Sequence, residues 1–363
     1  MKVLSITNLC HGYSATLPER SLYKGLAARG VDLVVITHYP TPESQELESE
    51  GLKVIYLQIT KKFDLNVIRT LRKIIDEEKI EILHFTFGKA LTNGLIASRR
   101  SSCKIVAYIG SVSLHWHDPF SWISYLNRRV DRLICLSTGV EEHVLRQAPK
   151  RMKGRTIRIY KGYETSWFNN IVPVSRAVID IPPDGFIVCC VANVRKIKGI
   201  PWLIRASDLL PEGLPVYFLL IGPGMDSEAI KRQIEKSRYM DNFRTFGYSN
   251  EVLSYTAASD LYVQPSLTEG LGRSVIEAMC LGKPVLVSGE GGVNELVDEG
   301  SNGFHVPAAS AEAIADKIRY CFENRQMMPL MGARSRERIE TKFNSGLMIE
   351  QTYHLLRSML SRQ

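Results

Sequence analysis

The stretch Leu261-Tyr-Val-Gln-Pro-Ser-Leu-Thr-Glu-Gly-Leu-Gly-Arg-Ser-Val-Ile-Glu-Ala-Met-Cys-Leu-Gly-Lys-Pro-Val-Leu-Val-Ser288 decides the fold. An apolar run, Leu261–Gln264, feeds a loop holding Gly270 and Gly272, then a helical pattern, then Gly282-Lys-Pro and a second apolar run. Strand, loop, helix, strand is the unit of a parallel α/β sheet. It places Glu269 in the loop and Glu277 in the first turns of the helix, near the carboxyl ends of the strands, where open α/β sheets bind ligands. The two glycines let a ligand approach the backbone, and the helix start offers N–H groups to a phosphate. A carboxylate accepts hydrogen bonds from neighbouring hydroxyls, as on a ribose or a hexose. Phosphate donors beside paired carboxylates imply a nucleotide-sugar. For Glu277 taken alone, a solvated carboxylate stabilised by the helix dipole is the simpler reading.

Outward from this unit the same alternation fills the chain. Strands are expected at Val3–Thr7, Leu33–Thr37, Val54–Leu57, Ile82–Phe85, Ile105–Tyr108, Leu133–Leu136 and Ile157–Tyr160. Helical patterns lie between most of them; in Leu65–Asp76 the apolar residues Leu65, Ile68, Leu71, Ile74 and Ile75 share a face. A Pro- and Asn-rich link follows, and the alternation restarts at Ile187–Val191, Val216–Ile221, Phe243–Phe246, Leu261–Gln264 and Val285–Val287. The expected organisation is a first domain at 1–168, a linker at 169–184 and a second domain at 185–344, followed by a last helical stretch at about 345–363. Two doubly wound, Rossmann-like domains facing a central cleft is the architecture this implies.

At 363 residues the chain exceeds a single core. Its seven cysteines are scattered without a C-x-x-C pair, against a disulfide framework or a zinc site and for a reducing compartment. The first residues form a strand too short for a signal peptide, and no run approaches the ~18 apolar residues of a membrane span. A cytoplasmic protein is expected. The net charge of +8 is unevenly spread. Residues 1–170 hold 25 Lys and Arg against 16 Asp and Glu, whereas residues 171–363 hold 21 against 22. A solvated basic surface and attraction to an anionic membrane face or acceptor weigh about equally, at about 1 kcal/mol per basic residue near such a membrane. No recognition motif for nucleic acid accompanies the charge.

Pro265-Ser266, Glu269-Gly270, Gly272, Glu277-Ala278-Met279, Gly282, Pro284-Val285, Gly291-Gly292, Glu295 and Asn302-Gly303 resemble the signature of glycosyltransferase family 4. The resemblance extends upstream through Lys198-Gly199, Gly222-Pro-Gly224, Phe246-Gly247 and Ala258-Ser-Asp260. It covers the C-terminal half almost throughout and the N-terminal half in outline. It implies the GT-B fold, with an acceptor-side first domain, a donor-binding second domain and the last helix returning to the first. It also implies a retaining transferase that moves a sugar from a nucleotide-sugar, with a UDP-sugar expected, to a hydroxyl of a glycan or glycolipid, in lipopolysaccharide or other surface polysaccharide synthesis. A peripheral position at the inner membrane face would suit the basic first half.

By that resemblance Glu269, Lys198 and Arg195 form the catalytic group. Glu269 contacts the donor sugar while the two cations take the charge that grows on the departing diphosphate. Asn193 occupies the place of a frequent Arg, and Arg195 supplies a guanidinium from two residues on. Gly270, Leu271 and Gly272 offer N–H groups, Glu277 holds the ribose, and Phe246-Gly247 cradle the base. Acceptor attack comes from the leaving-group face with the β-phosphate oxygen as base, so the two glutamates are not a glycosidase acid/base pair. No cofactor or metal is expected: no Asp-x-Asp motif is present, and the cations can do its electrostatic work.

The first half departs from the family. The loop after the first strand keeps only Gly12 of a frequent Gly-Gly pair, and Ile109-Gly110 stands where a His-Gly pair is usual. His115 and His117, slightly downstream, are acceptor-side candidates with Gly12 and Gly110; an ordinary polar loop is an equal reading for them and for His11. Two rival functions stay open: a non-catalytic nucleotide-sugar-binding subunit and a nucleotide-sugar epimerase.

Overall fold

The computed structural model describes residues 1–10 and 12–361, and its contacts divide the chain into two compact units. One comprises Met1–Gly162 with the chain from Phe343 onward, the other Tyr163–Lys342.

The first unit runs β1 (Lys2–Ile6), α1 (Tyr13–Ala27), β2 (Asp32–Thr37), α2 (Pro42–Ser49), β3 (Lys53–Tyr56), α3 (Leu65–Glu77), β4 (Ile82–Phe85), α4 (Gly88–Ala97), β5 (Lys104–Ile109), α5 (Pro119–Ile123), β6 (Arg132–Cys135), α6 (Thr138–Gln147) and β7 (Thr156–Arg158). The strands form one parallel sheet in the order β3-β2-β1-β4-β5-β6-β7. Both faces are covered, which is why the strands read as continuous apolar runs. Leu4, Ile6, Val34, Ile36, Leu83 and Phe85 face the side of α3 and α4. The alternate residues Val3, Leu33, Val35 and Ile82 face the side of α1. Asp64 caps α3 by accepting from the Asn66 and Val67 amides. Leu65, counted with the apolar stripe, stands at the first helical position and is 70% exposed; Val67 takes its place in the core.

The second unit runs β8 (Phe186–Val191), α7 (Ile200–Ser207), β9 (Val216–Ile221), α8 (Glu228–Ile234), β10 (Phe243–Phe246), α9 (Val252–Ala257), β11 (Leu261–Gln264), β12 (Thr268–Glu269), α10 (Arg273–Cys280), β13 (Val285–Ser288), β14 (Glu290–Gly291), β15 (Gly303–Val306), α11 (Ala311–Glu323) and α12 (Met328–Lys342). Six strands make a parallel sheet ordered β10-β9-β8-β11-β13-β15, and β12 pairs with β14 beside it. The expected α/β class with two parallel sheets is what the chain adopts. Strand β15 escaped the sequence reading because only Phe304 and Val306 of its four residues are core hydrophobics, alternating with Gly303 and the exposed His305.

The closing helix α13 (Ser345–Leu360) packs Met348, Ile349, Leu355, Leu356 and Met359 into the same cluster as Leu22, Tyr23 and Leu26 of α1. The division of the chain falls after Gly162, and the stretch read as a linker is tied to the second unit. Arg176 pairs with Asp260 at 3.1 Å, Val174 N–H donates to Ser254 O, and Arg244 Nε donates to Ile179 O. All seven cysteines are free thiols; six are buried, and burial pushes Cys189 up to about 12.

Candidate active site

In each sheet one pair of neighbouring strands marks where the winding reverses, and ligands bind outside the carboxyl ends of such strands. In the second sheet that pair is β8 and β11. The loops leaving them carry Asn193–Gly199 and Pro265–Gly272, the two segments the sequence singled out.

These loops are stitched together. Lys196–Lys198 make one 3-10 turn ended by Gly199 at φ 66°, and the Leu267 amide donates to Ile197 O at 2.8 Å. A Cβ at Gly199 would lie 1.8 Å from the Pro265 carbonyl oxygen, so only glycine allows the approach. The result is an ion pair: Lys198 Nζ lies 2.5 Å from Glu269 Oε2, both side chains about four-fifths buried. Ser266 Oγ donates to the same carboxylate oxygen at 3.2 Å and accepts from Gln264 Nε2 at 2.9 Å. Tyr262 and Ser274 hydroxyls reach Gln264 Oε1 at 3.1 and 3.2 Å. Tyr262, Gln264 and Ser266 are all buried, so a satisfied polar chain fixes the Glu269 carboxylate from below.

The backbone of Glu269 is fixed from the other side. It opposes Gly291 in the β12–β14 pair, and a Cβ on Gly291, at φ 113°, would meet Glu269 O at 2.0 Å. Helix α10 then starts after Gly272 with no side-chain cap and no acidic residue in its first turn, which leaves its first N–H groups and its positive dipole end for an anion. Leu271 is buried beside this start. Glu277, one turn further on, is only 6% exposed and has Arg273 Nε at 3.7 Å from its carboxylate. Arg273 was not singled out in sequence; its spacing of four residues from Glu277 was the available signal.

Asn193 and Arg195 are exposed, joined by an Arg195 N–H to Asn193 O bond of 2.9 Å, and among the described residues Arg195 has no carboxylate within ion-pair distance. Phe246 ends β10 and Gly247 follows it, and both their carbonyls accept from the Gly222 amide. Phe246 packs on Tyr255 at 4.7 Å between centroids, and the Asp226 carboxylate fills the space beside Gly247. Strand β10 lies two strands from β8 and three from β11, roughly 10 to 14 Å away. Phe246 and Gly247 therefore sit apart from the Lys198–Glu269 pair, along the same sheet edge.

In the first unit the reversal lies between β1 and β4. A pocket of ≈ 610 Å³ opens there, lined by Thr7 and Asn8 after β1 and Thr86–Lys89 after β4. Of the loop after β5 it takes in Ser113, Leu114 and Asp118; Gly12, Gly110, His115 and His117 are not among its lining residues. Gly12 is exposed just ahead of α1. Ile109 is a core residue, 3% exposed, so the position of the missing His is filled by packing. His115 stacks on His117 at 5.3 Å and meets His143 edge-on, and His143 Nε2 lies 2.7 Å from Leu114 O. Among the described residues no group of three His, Cys, Asp or Glu could hold a metal ion. His11 lies outside the described residues.

Known proteins match both units. Residues 20–167 match the family model described as Glycosyltransferase Family 4, and residues 172–338 match Glycosyl transferases group 1. The putative glycosyltransferase EpsD of Bacillus subtilis (strain 168) is 24% identical over 307 residues, 79% of each chain. The lipopolysaccharide core biosynthesis glycosyltransferase LpsE of Rhizobium meliloti (strain 1021) is 26% identical over 236 residues, 65% of this chain and 66% of that one. The crystal structure of HepE from Anabaena, in complex with UDP, has a TM-score of 0.79 at 21% identity, covering 99% of this chain and 100% of that one.

Proposed function

Because the chain belongs to glycosyltransferase family 4 and has the GT-B fold, we propose that it transfers a sugar, with retention, from a UDP-sugar to a hydroxyl of a glycan or glycolipid. The observation that carries this reading is the Lys198–Glu269 pair at the reversal point of the second sheet. With no donor bound, each charge neutralises the other. When the donor enters, its phosphate oxygens compete for Lys198, and Glu269, still held by Ser266, turns its free acceptor sites to the sugar hydroxyls. Arg195 and the start of α10 reinforce Lys198, so the growing diphosphate charge is met by cations and N–H dipoles without a metal ion. Glu277 takes the ribose, and the end of β10 takes the base.

In the transfer step the acceptor oxygen bonds to the anomeric carbon on the face from which the diphosphate departs. The bond from that carbon to the β-phosphate oxygen breaks, and the acceptor proton passes to a β-phosphate oxygen. The products are the glycoside and UDP. The relative in lipopolysaccharide core biosynthesis supports a surface-glycan acceptor. The basic first half supports work at an anionic membrane face; no helix among the described residues is long and apolar enough to cross a membrane. A panel of UDP-, GDP- and ADP-sugars, scored for binding and slow hydrolysis with and without EDTA, tests the donor reading. Selective, EDTA-insensitive turnover of one UDP-sugar is expected; preference for another base, or loss of turnover with EDTA, would overturn the corresponding part.

A further inference from the structure

The pocket at the reversal point of the first sheet has a chemistry of its own. Two lysines, Lys62 and Lys89, reach it from the loop after β3 and the start of α4. Their backbones are held by one buried side chain. Asn93, with no exposed surface, points Nδ2 at the carbonyls of Lys61, Lys62 and Lys89 at 2.8–3.2 Å, while its Oδ1 accepts from the Asp64 amide at 2.9 Å. Lys62 Nζ stands 3.9 Å over the Phe120 ring, which orients the ammonium without neutralising it. Among the described residues neither lysine has a carboxylate within ion-pair distance. Of the two carboxylates that line the pocket, Glu19 pairs with Lys161 through Oε1 at 2.7 Å, and Asp118 accepts from the Phe120 amide and Ser121 Oγ at the start of α5. The remaining polar lining includes Asn8, His38 and the hydroxyls of Thr7, Thr60, Thr86, Ser113 and Tyr125, groups suited to a sugar.

We propose that this pocket takes the acceptor as a sugar bearing an anionic group, a phosphate or a carboxylate, which Lys62 and Lys89 bind. The inference rests on the transferase reading and names the acceptor class for it. Nothing else in the pocket calls for two unpaired ammonium groups held by a shared buried anchor, and a neutral glycan would leave both idle.

The test uses the full chain with glucose 6-phosphate, glucuronate and glucose as probes, read by calorimetry and by hydrogen exchange of the 59–64 and 86–93 segments. At least one anionic sugar should bind tenfold or more tightly than glucose and protect both segments; which one does so separates phosphate from carboxylate. The Lys62→Gln, Lys89→Gln double variant, both positions exposed, should erase that preference while leaving UDP affinity unchanged. Equal binding of all three probes, binding of none, or a charge preference that survives the double variant overturns the proposal. Failure of UDP to bind either protein would count against the donor site instead, so the two readings fall separately.

Discussion

Lys198 Nζ and Glu269 Oε2 stand 2.5 Å apart across 71 residues of sequence, joining the loops that leave β8 and β11. Neither loop could hold its charge alone. The lysine sits on a single 3-10 turn, and the glutamate on a two-residue strand. The amide of Leu267 donating to Ile197 O makes them one rigid element, which preorganises charge where a diphosphate would depart.

Replacing Lys198 by Ala should therefore lower turnover about 100- to 1,000-fold, the effect of deleting one preorganised donor at a developing charge. UDP affinity should fall far less. Single-turnover rates beside calorimetric UDP titration check this; an unaffected rate removes Lys198 from the phosphate site.

We propose Glu277 for the ribose, and its burial makes the proposal testable. A carboxylate accepting hydroxyl hydrogen bonds in a site 6% exposed should be worth about 1.5–3 kcal/mol. Glu277→Gln should then weaken UDP binding by about 10- to 100-fold. An undiminished affinity would show that the residue serves α10 through Arg273 alone.

How much of this was legible in sequence follows from how local each signal is. The strand, loop and helix of 261–288 were readable because periodicity and glycine placement are properties of neighbours. Lys198 and Glu269 could be named separately, but the bond between them depends on Gly199 meeting Pro265 O, a contact that spans two strands. On the acceptor side the sequence pointed to His115 and His117 because they lie just downstream of Ile109-Gly110, where a His-Gly pair is usual. The pocket instead draws on Lys62 and Lys89, whose common anchor is Asn93, and no spacing rule links an asparagine to carbonyls 31 and 32 residues earlier. Leu65 failed for a simpler reason: the first position of a helix has a side-chain direction that the stripe rule ignores.

Gly199 and Gly291 yield a stability prediction with an internal control. Alanine at either meets a carbonyl oxygen at 2.0 Å or less and must also adopt a positive φ. Each variant should lose about 2–4 kcal/mol in urea unfolding, the range of clash and strain costs. Gly213, at φ 79° with nothing within 4 Å of its Cβ, should cost only about 1 kcal/mol as alanine. Equal losses at all three would mean that φ alone matters and that the loops are not held together by close approach.

The basic first half predicts salt-dependent adhesion. Sedimentation with vesicles containing anionic phospholipid should recover the protein at low ionic strength and release it near 0.5 M salt, where screening shortens to a few ångströms, roughly 4 Å. Trp116, 63% exposed, and Trp122, lying under Arg151 at 5.4 Å, form an aromatic and cationic patch suited to the lipid interface. Trp116→Ser with Trp122→Ser should reduce recovery; indifference to both salt and substitution would count against membrane work.

His84 gives the fold a pH dependence of known sign. It lies in the middle of the first sheet, 5% exposed, with Ser5 Oγ at 2.9 Å from Nδ1, and burial lowers its pKa from 6.5 to about 4. The folded chain keeps the ring neutral where the unfolded chain protonates it. The unfolded state thus binds more protons between pH 6.5 and 4, and stability falls as pH drops through that window, by up to about 3 kcal/mol. Glu46 is held below 4.5, against the cost of its own burial, by Lys24 and Arg20, and Glu78 is lowered by Lys2 and Lys53, so their ion pairs weaken only at lower pH. Urea unfolding between pH 6.5 and 5 therefore isolates the histidine. His84→Gln should flatten the slope there whatever it does to absolute stability, and a slope unchanged by the substitution would place the proton uptake elsewhere.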